Sequence, residues 1–220
     1  MTGKLHYQTI SKKVADILPV LMDMEEFRQF RLVGGTALSL QLGHRQSFDI
    51  DLFTDAVYGT VDFQAIDDHL RNLFGYFDTR RGSGNVPGSM CFIGNSAEAA
   101  IKLDLFYTDA FLFPPVEIDG IRMACVPEIG TMKLELISRG GRKKDFWDII
   151  EIHDHIAFQE LVRFFHQKYP YLSMKALKKG LKDFSVADSE VNPMCLRGRH
   201  WELVKADMVE LADTIVTRDA

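Results

Sequence analysis

Asp49 and Asp51 stand one residue apart in the stretch FDIDLF, downstream of a Gly34-Gly35-Thr36 turn. In an extended chain, residues i and i+2 share a face. As a strand, FDIDLF would project both carboxylates together and turn Ile50 and Leu52 to the core. Neighbouring carboxylates repel each other, and desolvation on a sheet raises that cost. Hydration at an exposed strand end would relieve the conflict. So would a divalent cation, since Mg²⁺ favours a few carboxylates together with phosphates and water.

A third carboxylate has the same local setting. DLFT at 51–54 is echoed by DLFYT at 104–108, and Asp104 lies inside IKLDLFY, where it shares a strand face with Lys102 and Phe106. An aspartate in mid-strand is expensive unless paired or metal-bound. If the two strands are neighbours, Asp49, Asp51 and Asp104 converge as a two-metal phosphoryl-transfer site requires. The glycines offer a complementary feature. Gly34 and Gly35 follow an apolar strand and precede a helix expected to start at Thr36, where free N–H groups attract phosphate. Thr36 would cap that helix or donate to a phosphate; an ordinary strand-to-helix turn is the plainer alternative. Neither a P-loop nor a GxGxxG fingerprint is present.

The positioning elements follow from periodicity. Residues from Thr9 to about Phe27 repeat apolar side chains at helical steps, and VDFQAIDDHLRNLF is an amphipathic helix. Strands are predicted in FRLVGG, FDIDLF, GYFDTRR, SMCFIG and AIKLDLFYT, with a glycine-rich turn GSGNVPG and an Asp119-Gly120 hairpin. From Pro127 the pattern is helical throughout. The expected organisation is a mixed α and β core over residues 1–126 and a helical part over 127–220. In the latter, Lys175, Lys178, Lys179 and Lys182 fall at helical spacing and make either a solvated face or a track for an RNA backbone.

Composition narrows the function classes. The 220 residues carry 46% hydrophobic side chains and a net charge of −5, which argues against a dedicated nonspecific DNA binder. Three widely spaced cysteines read as reduced thiols in a cytosol rather than a disulfide frame or zinc site. The opening stretch lacks a signal-peptide core, and no apolar run is long enough for a membrane span. A cytoplasmic location is expected.

The block GGTAL…DIDLF, followed by MKLELISRGGRKKDFWDI, resembles the AbiEii/AbiGii-type nucleotidyltransferase toxins of the DNA-polymerase-β-like superfamily. The resemblance covers roughly residues 30–155. It rests on Gly34, Gly35 and Thr36; on Asp49 and Asp51 with the HRxSxD lead-in; on Lys133 with Ser138-Arg139; and on Lys144, Asp145 and Asp148. It implies an α+β nucleotidyltransferase fold, a mixed β-sheet flanked by helices followed by a helical C-terminal part that contributes Lys133 and Lys144 to the site. It implies an NTP substrate and two Mg²⁺ ions (Mn²⁺ as the alternative) on Asp49, Asp51 and Asp104. Lys133 and Lys144 would neutralise phosphate, Asp145 would orient Lys144, Arg139 or His44, and Arg45 would face phosphate or pair with an acid. The acceptor hydroxyl would belong to RNA, at the 3′ end of tRNA, in a toxin–antitoxin or phage-defence system with a cognate antitoxin. A small-molecule acceptor and a non-catalytic nucleotide-binding module are the competing readings. Asp154 stands where the family often carries a later aspartate.

Overall fold

In the computed structural model, residues 3–79 and 88–216 are described. The GSGNVPG turn and the end of GYFDTRR therefore lie largely outside the described residues. The chain divides into two compact units, one of residues 1–43 with 47–124, the other of residues 44–46 with 125–220.

In the first unit, seven strands among the described residues form one mixed sheet in the order β3-β4-β5-β2-β1-β7-β6. They are β1 (Arg31–Leu32), β2 (Ile50–Thr54), β3 (Tyr76–Thr79), β4 (Gly88–Gly94), β5 (Ile101–Tyr107), β6 (Val116–Ile118) and β7 (Ile121–Met123). Strands β2 and β5 run parallel, as do β1 and β7, while the other pairs are antiparallel. Two-residue alternation sorts the central strands. Ile50, Leu52, Cys91, Ile93, Leu103 and Leu105 are buried on one side, and Asp51, Phe53, Lys102, Asp104 and Phe106 are half-buried on the other. The β6–β7 hairpin turns at Asp119 and Gly120, both with positive φ, as a primed two-residue turn demands.

Among the described residues, three α-helices accompany the sheet: α1 (Lys12–Asp23), α2 (Gly34–Leu42) and α3 (Phe63–Leu73). Ser11 and Asp62 cap α1 and α3 by accepting the N–H groups of Val14 and Ala65. Gly43, in the left-handed conformation, ends α2. Helix α2 starts at Gly34, two residues earlier than expected, so Thr36 sits inside its first turn instead of capping it.

The second unit is helical: α4 (Val126–Ser138), α5 (Lys143–His153), α6 (Phe158–Lys168), α7 (Met174–Gly180) and α8 (Trp201–Asp213). Its core holds Ile129, Leu134, Ile137, Phe146, Trp147, Phe158 and Phe165. The Trp147 and Trp201 rings stack with centroids 6.0 Å apart. Most of the aromatic residues in FWDII and RFFHQKYPY are thus core. Among the described residues no helix is long and apolar enough to cross a membrane.

Candidate active site

The first unit carries the acidic residues. Strands β2 and β5 are neighbours, and Asp51 and Asp104 are register partners in the parallel pair. Both lie on the half-buried face, because each is flanked by buried apolar residues pointing the other way. Asp49 lies just before β2. Its carbonyl is taken by the Thr36 hydroxyl instead of by a neighbouring strand, so β2 begins at Ile50. Thr36 is fully buried, and its hydroxyl also bonds to Ser47 Oγ at 3.0 Å.

The glycine turn touches the same carboxylate. Val33 N–H donates to the Asp51 carbonyl at 2.8 Å. At Gly34, φ is +67°, and a Cβ there would overlap Asp51 Oδ2 and come within 3.2 Å of its Cγ. The backbone conformation therefore favours glycine at position 34, and a Cβ there would also displace the Asp51 carboxylate.

Asp104 Oδ2 pairs with Lys102 Nζ, two residues earlier on the same face. Its other oxygen, Oδ1, is buried without a hydrogen-bond partner among the described residues. As the side chains stand, no three His, Cys, Asp or Glu residues among those described form a ready metal-ligand set. The donor chemistry nevertheless fits a hard divalent cation. It consists of carboxylate oxygens, one of them buried and unsatisfied, and Asp104 needs only to exchange Lys102 for the ion. On the opposite face, burial pushes the Cys91 thiol up to about 12, helped by the charges of Asp67 and Asp104. That thiol is inert at neutral pH.

In the second unit, Asp148 is the centre of a buried ionic cluster. Arg45 grips it with two bonds, Nε to Oδ1 at 2.6 Å and Nη2 to Oδ2 at 2.9 Å. His44 Nε2 lies 2.9 Å from Oδ1, and Lys133 Nζ 2.9 Å from Oδ2. Burial alone would push the Asp148 carboxyl up. Arg45 and Lys133, with hydrogen bonds from Arg45 and His44, overcome this and hold it well below the usual carboxylate range. Lys133 also donates to Asp145 Oδ1 at 2.5 Å. Burial opposes its charge, yet Asp145 and Asp148 raise its pKa. The second oxygen of Asp145 accepts the Arg142 N–H at 3.0 Å, which closes the start of α5.

Lys144, in the first turn of α5, is different. It is half-buried, and its pKa is lowered first by burial and then by Lys133, Arg142 and Arg45, with Asp145 offsetting only part. Two cations, Arg45 and Lys133, balance Asp145 and Asp148, so Lys144 adds positive charge that the cluster does not neutralise. An anion would relieve it.

Several sequence expectations change in detail. Asp145 holds Lys133 and the helix start, not Lys144, Arg139 or His44. Arg45 takes the acid-pairing alternative. Arg139, itself exposed, pairs with the half-buried Glu135, and the exposed Asp154 pairs with the half-buried Arg199. The lysine stripe is partly occupied: Lys178 donates to the Ile215 carbonyl at 3.0 Å, and Lys182 meets Asp213 at 2.5 Å. Sequence reasoning gave Asp148 and His44 no central place, although the His44-Arg45 lead-in and the Lys144–Asp148 spacing were visible. Only tertiary contact shows that they meet.

Comparison with known proteins bears on the family and the fold. The chain is 26% identical over 189 residues to the Aquifex aeolicus (strain VF5) protein aq_aa25, an alignment spanning 83% of this chain and 86% of that one. A solved Helicobacter pylori structure superposes with a TM-score of 0.57 at 18% identity, covering 92% of this chain and 91% of the other. The nucleotidyltransferase toxin MenT4 (Rv2826c) of Mycobacterium tuberculosis H37Rv also gives 0.57, at 13% identity, covering 93% and 83%. At such identities these likenesses show the fold. The model of the nucleotidyl transferase AbiEii toxin family, type IV toxin–antitoxin system, matches residues 16–214. With nearly the whole chain matched, the protein belongs to the AbiEii nucleotidyltransferase toxin family and is a nucleotidyltransferase.

Proposed function

We propose that the protein moves a nucleotidyl group from an NTP to the hydroxyl of an RNA acceptor, with tRNA the leading candidate, as the toxin of a bacterial toxin–antitoxin or phage-defence pair in the cytoplasm. The observation that carries the chemistry is the parallel register that sets Asp51 beside Asp104, with Gly34 packed against Asp51. Asp49, Asp51 and Asp104 would hold Mg²⁺, or Mn²⁺ in its place. Such an ion supplies a lowered pKa for the attacking hydroxyl and screening of the triphosphate.

The chain's own groups would share the remaining work. Gly34 and Gly35 let the α2 start approach phosphate closely. Thr36 fixes the Asp49 main chain through its carbonyl. Asp104 accepts the proton as the acceptor oxygen bonds to the α-phosphorus and the bond to pyrophosphate breaks. In the second unit, Lys144 provides the uncompensated charge that suits phosphate, and Lys133 holds α5 in place through Asp145 and Asp148.

The test is incubation with each α-labelled NTP, Mg²⁺ and either cellular RNA or small hydroxyl acceptors. Label on RNA is expected, and Asp51→Asn is expected to remove at least ~10²-fold of the rate, since a metal supplies several kcal/mol of charge stabilisation. Label on small acceptors alone would replace the RNA reading. An Asp51→Asn protein with full activity would remove the metal assignment.

A further inference from the structure

Two phenylalanines share the face of Asp51 and Asp104, and the reading above gives them no role. Phe53 and Phe106 are register partners, one step of two residues beyond the aspartate pair along the same parallel strands. Their rings meet edge to face with centroids 5.8 Å apart. Both are half-buried, as is Tyr107, whereas the other side chains alternating with them, Leu52, Thr54 and Leu105, are fully buried. Large rings are usually buried, and this pair keeps part of its surface open on the face of the carboxylates. Strand β4 makes room for it. Gly88 pairs with Phe106, and a Cβ there would overlap the Phe106 ring as well as the Leu105 carbonyl oxygen.

The register also says which side of the carboxylates the rings occupy. Strand β1 runs antiparallel to β2, with Arg31 opposite Phe53 and Leu32 opposite Leu52, and Val33 bonded to Asp51. The chain therefore enters the glycine turn beyond Asp51, moving away from Phe53. The sheet order sets β5, with Phe106, on the far side of β2 from β1. The glycine turn and the phenylalanine pair thus flank the aspartates on opposite sides along the strands.

In phosphoryl transfer, the attacking and leaving oxygens lie roughly in line on opposite sides of phosphorus. With the leaving pyrophosphate at the glycine turn, the acceptor comes from the phenylalanine side. We propose that Phe53 and Phe106 form a stacking platform for the nucleobase at the 3′ end of the acceptor RNA. Aromatic side chains on a sheet face are a general means of holding single-stranded RNA. The inference rests on the nucleotidyl-transfer reading for its choice of acceptor base over the base of the NTP.

The test measures binding of short single-stranded RNAs without NTP. One ends in 2-aminopurine, whose fluorescence reports stacking, and the other ends in an abasic ribose. The full chain is expected to bind the base-terminated RNA about ten- to a hundredfold more tightly, the range that stacking of one base gives. Phe53→Leu and Phe106→Leu, which keep apolar bulk but remove the ring, should erase that preference and the quenching. Phe53→Tyr and Phe106→Tyr should retain both. Equal binding of the two RNAs by the unmodified chain would overturn the proposal, and needs no variant to fold. Preference surviving in folded Leu variants would overturn it as well, as would a loss of NTP binding with RNA binding intact. The two readings fail separately. Base-dependent RNA binding without any labelled product sinks RNA transfer alone, and labelled RNA without base preference sinks the platform alone.

Discussion

Gly34→Ala separates a site residue from a merely structural glycine. Two costs follow from the geometry. The backbone at position 34 has φ +67°, a conformation that costs a residue with a Cβ about 1–2 kcal/mol. The new methyl would also overlap Asp51 Oδ2. That second collision is with the end of a side chain, which can rotate away at small cost in stability. It rotates, however, out of the place where it faces its register partner Asp104. The stability loss should therefore stay near the backbone term, a fall in Tm of roughly 2–8 °C for a chain of this size. The catalytic loss should be far larger, about 10²-fold in kcat, the order expected when a reacting group is misplaced by ~1 Å. Thermal unfolding and single-turnover transfer of labelled nucleotide, run on the same preparation, check both halves. Activity within a few-fold of the unmodified chain would refute the placement of Asp51 in the reaction. A collapse of Tm in proportion to activity would reduce Gly34 to a folding requirement.

Other expectations follow from the two ionic arrangements. Asp148→Asn leaves Arg45, Lys133 and His44 around a neutral side chain, and breaking a buried pair in this way should cost about 3–5 kcal/mol in denaturant unfolding; a change under ~0.5 kcal/mol would contradict the buried cluster. The same carboxyl sets an acid limb. Its folded pKa is depressed, so the unfolded chain binds more protons as pH falls. The stabilisation is full above about 3.9, the unfolded value, and is lost as pH falls from there through the folded value. Unfolding midpoints that flatten on the acid side in Asp148→Asn would show it. Lys144→Met removes a cation that burial and three neighbours disfavour, so Tm should hold or rise while stabilisation by added inorganic triphosphate shrinks; a lower Tm with unchanged triphosphate response would refute this. Lys102→Met frees Asp104 from its internal cation. Without Mg²⁺ the variant should melt earlier, and the Mg²⁺-dependent rise in Tm should be larger than in the unmodified chain; a smaller rise would make Lys102 a partner of the ion instead of its competitor.

Much of the local architecture was legible because backbone geometry imposes it. Period-2 alternation marked the strands carrying Asp51 and Asp104 and already grouped Asp104 with Lys102 and Phe106. Helical periodicity and the Asp119-Gly120 turn located most other elements. Details of partnership were less legible. Thr36 resembled a cap or phosphate donor from its place after two glycines, yet the helix begins at Gly34 and the hydroxyl is spent on Asp49 and Ser47. The family resemblance pointed Lys133 at phosphate. Its burial between Asp145 and Asp148 depends on how α4 meets α5, which no spacing within either helix reports.

The sequence by itself determined which residue types could act, which faces of their own strands and helices they occupy, and the family to which the block of motifs is similar. Those properties repeat with the two-residue or 3.6-residue period of the chain, so neighbouring letters suffice to read them. Tertiary structure alone decided that β5 pairs with β2 in parallel and sets Asp104 beside Asp51, and that His44 and Arg45 close on Asp148. Strand choice and the burial of charge are settled by contacts between distant segments, each competing with other pairings of similar local pattern. No local period contains that information.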